Sequence, residues 1–82
     1  MDDRYKEYAI ARISNYIEDH DTDRERFAYA IGRSEATLKA FMNGDLDKLG
    51  SPALHGCARV MGITYRKLII PLSEEDYQGA SA

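Results

Sequence analysis

The sequence predicts an all-α domain of five helices, and three observations predict it. Apolar residues recur at spacings of three and four along the chain, with none of the strict alternation that a half-buried strand requires. Helix start and stop signals come in pairs: Ser34 with Asn43-Gly44, Ser51-Pro52 with Gly62, and Thr64 with Pro71. The stretch from Thr22 to Gly44 reads as helix, tight turn, helix. Ala28 is small where a second helix must approach, and Gly32 is placed to take the left-handed conformation that ends a helix.

In helix 1, Asp2 or Asp3 serves as the cap, and Tyr5, Tyr8, Ala9, Ile13, Tyr16 and Ile17 form one apolar stripe that runs to about His20. Asp19 to Asp23 is a polar break. Thr22-Asp23-Arg24-Glu25 has the spacing of a capping box, which starts helix 2. That helix turns Phe27, Ala28 and Ile31 inward and Tyr29 outward, and stops at Gly32. Ser34 caps helix 3, Glu35 to Met42, which carries Leu38, Phe41 and Met42 on its inner side. Glu35, Ala36, Lys39 and Ala40 face away, with Thr37 at the boundary. The loop Asp45 to Gly50 tucks Leu46 and Leu49 under the domain.

Helix 4 begins with Ser51 as its capping hydroxyl and Pro52 at the first helical position, where a missing N–H costs nothing. It turns Leu54, Cys57, Ala58 and Met61 inward and stops at Gly62. Thr64 caps helix 5, Tyr65 to Ile70, which buries Leu68 and Ile69 before Pro71 ends it. The domain therefore spans residues 1–71, and residues 72–82 form an acidic tail, partly disordered or in contact with a partner. Within the tail, Ser73-Glu74-Glu75-Asp76 has the chemistry of a helix start, and Tyr77 with Leu72 is a candidate dimer contact.

Composition narrows the function classes. A chain of 82 residues makes a single small domain with a marginal core, which a dimer would reinforce. Hydrophobic residues at 44% and charged residues at 30% have the balance of a globular domain. No run of roughly 18 apolar residues is present, so no membrane span is expected, and Met1 to Glu7 is charged and lacks the apolar core of a secretory signal. A cytoplasmic location is the expectation. The single cysteine, Cys57, cannot form an internal disulfide and reads as a small core residue.

No cofactor, metal or catalytic centre is expected. His55 and Cys57 stand two apart on a helix, so their side chains diverge by about 200° and do not converge on a zinc ion. The sequence offers no nucleophile with an orienting base, no glycine-rich phosphate loop and no paired carboxylates in a pocket, so it does not read as an enzyme. Six tyrosines suggest a stacking surface for single strands, but Tyr5, Tyr8 and Tyr16 lie on the apolar stripe of helix 1, where packing accounts for them.

On Ala28, the Gly32 turn, Leu38, the ending Phe41-Met42-Asn43-Gly44 and the later string Ala58-Arg59-Val60-Met61-Gly62-Ile63-Thr64, the chain resembles the lambda-repressor-like family of phage repressors, Cro-type regulators and XRE regulators. The resemblance covers about residues 5 to 70 and runs without a gap through the helix-turn-helix. It implies a sequence-specific DNA-binding transcriptional regulator that inserts helix 3 in the major groove of double-stranded DNA as a homodimer. The base-facing positions it implies are Glu35, Ala36, Thr37, Lys39 and Ala40. Glu35 would accept from a cytosine amino group, Ala36 or Ala40 would pack on a thymine methyl, Thr37 would donate to a base or touch a methyl, and Lys39 would reach guanine or phosphate. Arg24 and Asn43 match phosphate-contacting positions of the family, and Arg33 in the turn is a candidate phosphate clamp.

Two departures and a charge balance stand against this. Arg33 occupies a turn position that is often apolar in the family, and Glu35 one that is often glutamine. From Thr22 to Lys48 five basic residues face five acidic ones, and the whole chain carries −3. Groove readers draw much of their affinity from phosphate neutralisation, and this chain offers about three or four such contacts per subunit. Each residue also has a plainer reading: Arg24 and Arg26 pair with Asp23 and Glu25, and Glu35 complements the helix dipole. The alternative function is a protein-binding helix-turn-helix, an antirepressor or adaptor that caps another regulatory protein and does not touch DNA.

Overall fold

Three glycines have positive φ, Gly32, Gly44 at +113° and Gly62, and the first and last set where the chain reverses into helix 3 and helix 5. Gly32 has φ +74° and Gly62 has φ +73°, values at which a side chain is strained. Past each glycine the next amide reaches back to the same relative position. The Arg33 N–H donates to the Ala28 carbonyl at 2.9 Å, and the Ile63 N–H donates to the Ala58 carbonyl at 3.0 Å.

The computed structural model describes residues 3–72. It contains α1 (Arg4–Asp19), α2 (Arg24–Ala30), α3 (Glu35–Met42), a single 3₁₀ turn (Leu46–Lys48), α4 (Ser51–Met61) and α5 (Tyr65–Leu68), with no strand among the described residues. The all-α class and the five helices are as the periodicity predicts. The expectations for the tail beyond Leu72, including Tyr77, lie outside the described residues. No helix among the described residues is long and apolar enough to cross a membrane.

The core sits where all five helices meet. Ala9 and Ile13 of α1, Phe27 and Ala28 of α2, Leu38 and Phe41 of α3, and Leu54, Cys57 and Ala58 of α4 are buried together with Leu49 and Leu68. Tyr16 ties the end of α1 to α2: its ring stacks on His20 at 4.0 Å and meets Phe27 at 5.8 Å in a tilted pair. The His20 Nδ1–H donates to the Tyr16 carbonyl at 2.9 Å and closes the last turn of α1. Lys6 is a buried cation whose Nζ donates to the Leu46 carbonyl at 3.0 Å, which anchors the 3₁₀ turn to α1. Arg12 is buried as well, so the inner side of α1 is less purely apolar than its stripe suggests.

Four local expectations are corrected. Thr22 and Glu25 do not form a capping box, because the Thr22 amide that Glu25 would satisfy already donates to the His20 carbonyl at 2.7 Å. Asp23 is the cap instead, its carboxylate accepting from the Arg26 amide at 2.9 Å. Of the two caps expected for α1, Asp2 lies outside the described residues and Asp3 makes no side-chain cap, since at φ −100° and ψ 15° it is not in the extended conformation a cap adopts. At α4 the capping position falls on Gly50, so Ser51 is already helical and Pro52 lies in the first turn. Helix α5 closes at Leu68, two residues before the expected end. Of the residues expected inward, Ile31, Met42, Met61 and Ile69 are half-buried.

These assignments predict unequal costs at neighbouring positions. Asp23→Ala lowers the unfolding free energy by about 1 kcal/mol and Thr22→Ala by less than about half of that. Phe41→Ala costs about 3–5 kcal/mol through the cavity it leaves. Urea denaturation followed by circular dichroism measures all three, and equal losses at Thr22 and Asp23 would contradict the cap assignment.

Candidate nucleic-acid interface

The outer side of α3 is defined by what its inner side buries. Leu38 and Phe41 are 0% exposed, which fixes the rotation of the helix and turns Glu35, Ala36 and Lys39 to solvent. Ser34 holds the start of the helix. Its Oγ accepts from the Thr37 amide at 3.2 Å and donates to Thr37 Oγ1 at 2.9 Å. Asn43 is exposed at the far end, where the chain leaves the helix and the Asp45 amide donates to the Ala40 carbonyl at 3.0 Å.

The residues named from the sequence divide into three groups. Glu35, Ala36, Lys39 and Asn43 form an exposed strip along α3. Thr37 and Ala40 are half-buried at the edge of that strip, and the Thr37 oxygen is already an acceptor for Ser34, which leaves its hydroxyl proton as the group free to donate outward. Arg24 and Arg33 stand apart. Arg24 is exposed but shares a shallow cleft with Ser14, Ile17, Glu18 and Met42, at the ends of α1 and α3 rather than at the start of α3. Arg33 turns back over the glycine turn, with Nη1 donating to the Gly32 carbonyl at 3.2 Å and its charge acting on the Cys57 thiol of α4.

Tyr29, 87% exposed on the outer side of α2, lines a second shallow cleft with Asp23, Glu25 and Arg26. Its outward position was legible from the apolar spacing of α2. The stacking of His55 on Tyr65, with ring centroids 3.8 Å apart, was not, since the two are ten positions apart in sequence and meet only when α5 folds back on α4. Among the described residues no group of three or more His, Cys, Asp or Glu side chains is arranged to hold a metal ion.

Cys57 is buried in the core, as its place in helix 4 predicts, and burial pushes its thiol up from the ordinary 9.0 to about 12. A hydrogen bond to its own backbone and the charge of Arg33 oppose that shift in part. No protein-family model matches the chain, and comparison with curated proteins and with solved structures returned no match.

Two measurements follow from this geometry. Ser34→Ala frays the start of α3 and costs about 1 kcal/mol of stability in urea unfolding. For Cys57, the unfolded thiol ionises near 9.0 and the folded one near 12, so its burial contributes fully below 9.0 and is progressively lost as pH rises from there toward 12. The loss approaches about 1.4 kcal/mol per pH unit. Comparing urea unfolding of the native chain and Cys57→Ala at about pH 8 and pH 10 isolates it; an identical pH dependence in the two would contradict the burial of the thiol.

Proposed function

We propose that this chain is a sequence-specific DNA-binding transcriptional regulator of the lambda-repressor-like kind, which reads the major groove with α3 and acts in the cytoplasm as a homodimer. The observation that carries the reading is the exposed strip Glu35, Ala36, Lys39 and Asn43 on a helix whose opposite side is locked by Leu38 and Phe41. An α-helix fits the major groove of B-form DNA. This strip presents an acceptor, a methyl, a cation and an amide, which are the group types that base edges and phosphates recognise. Thr37 adds a hydroxyl donor from the edge of the strip.

The domain is 33 Å in its longest dimension, close to the roughly 34 Å between successive major grooves on one side of a duplex. Two copies side by side would place two α3 helices on adjacent half-sites. Occlusion of a promoter is the simplest mechanism for such a dimer, as in the phage and mobile-element regulators the sequence resembles. Arg24 supplies a phosphate contact in this reading. Arg33, engaged with the Gly32 carbonyl, contributes little unless it swings away from the turn.

The alternative, an antirepressor or adaptor that binds another regulatory protein, is favoured by one observation. The segment from Thr22 to Lys48 balances five cations against five anions in a chain of net charge −3. Fluorescence anisotropy with duplex DNA from the region upstream of the chain's own gene separates the two. DNA binding predicts specific, salt-sensitive binding that Lys39→Ala weakens by about 1–3 kcal/mol, and a changed base preference in Glu35→Gln. No preference for that duplex over random sequence, with both variants unchanged, would refute DNA reading by α3 and favour the protein partner.

A further inference from the structure

Helices α4 and α5 carry cations and no Asp or Glu, which sets them apart in an acidic chain. No Asp or Glu occurs between Lys48 and Glu74, and the described part of that interval contains Arg59, Arg66 and Lys67, all exposed. Residues 3–48 carry eight cations against ten anions. Helix α1 also packs on α5, and its first turn exposes one charge of each sign, Arg4 and Glu7, while Lys6 is buried on the Leu46 carbonyl.

Packing joins the two helices that carry these cations. His55 and Arg59 lie one helical turn apart on the same side of α4, and Tyr65 at the start of α5 stacks on His55 at 3.8 Å with the rings 16° from parallel. Leu68 is buried and Tyr65 half-buried, so the inner side of α5 is spoken for, and Arg66 and Lys67 project from its outer side. Successive helical residues diverge by about 100°, so these two cations do not close on a single small anion. They suit a rigid polymer whose negative charges recur along its length, and guanidinium groups match phosphate oxygens in paired hydrogen bonds.

We propose that the α4–α5 surface formed by Arg59, Arg66 and Lys67 beside the His55–Tyr65 stack is a second, sequence-independent contact for the phosphate backbone of duplex nucleic acid. It supplies the electrostatic attraction that the charge-balanced α3 region lacks. Its binding does not depend on base reading by α3.

The test is anisotropy of a labelled random-sequence duplex of about 20 base pairs titrated at several salt concentrations. The full chain binds with a log–log salt slope near −2 to −3, and Arg66→Gln combined with Lys67→Gln reduces the slope by about two and the affinity at about 50 mM salt by about 10-fold or more. Both substituted side chains are exposed, and a circular dichroism melt of the variant checks that the fold is kept. No binding of random duplex by the native chain, or a slope unchanged in the double variant, overturns the proposal. Binding of polyglutamate in preference to duplex overturns the nucleic-acid assignment as well. Preference for the upstream duplex over random sequence belongs to α3, so losing that preference leaves this surface standing. A kept preference with an unchanged slope in the double variant removes this surface alone.

Discussion

The structure depends on the burial of Leu38 and Phe41. Helix α3 has only eight residues, too few to hold a helix in water by its own hydrogen bonds. Its conformation is therefore borrowed from the core, in which those two side chains are buried in one cluster with Phe27, Ala28 and Leu54. The outward strip of Glu35, Ala36, Lys39 and Asn43 exists as a surface because the inward pair is fixed. Any function assigned to the strip inherits its geometry from the packing beneath it.

The rest of the fold serves that packing. The glycine turn at Gly32 lets α3 leave α2 at once, and the Arg33 amide seals the turn on the Ala28 carbonyl. Ala28 itself is fully buried and small enough for the two helices to approach. The same device recurs at Gly62, which folds α5 back so that Leu68 closes the core and Tyr65 covers His55. Lys6 holds the 3₁₀ turn after α3 through the Leu46 carbonyl, which gives a buried ammonium a partner and fixes the exit from α3.

Much of this was legible in the sequence, because helices of this kind are encoded locally. The spacing of apolar groups identified the inner residues of α3, and Ser34, Gly32, Gly62 and Thr64 marked element ends that the structure reproduces. Errors fell where two local signals competed. Thr22 and Asp23 are both good caps, and the choice between them turned on the Thr22 amide being taken by His20, a backbone contact that no residue type announces. Ser51 lost the capping role to Gly50 by one residue. Of the candidate site, the exposed strip followed from helical geometry alone. The turned-back posture of Arg33 on the Gly32 carbonyl and the placing of Arg24 beside Glu18 and Met42 did not, since the first is a rotamer that no residue type announces and the second depends on how α1 and α3 pack beside the start of α2. The acid-free interval on α4 and α5 was visible in the chain but gained meaning only when the stack of His55 on Tyr65 joined the two helices.

The central claim, that the side of α3 opposite Leu38 and Phe41 meets a duplex, is tested most directly by amide chemical-shift mapping of the labelled chain during titration with DNA from upstream of its gene. The account predicts that the largest specific shifts cluster at residues 34–43 while the amides of Ala9, Ile13 and Leu54 stay in place. Shifts that avoid α3, or a spectrum that DNA leaves unaltered, would contradict it.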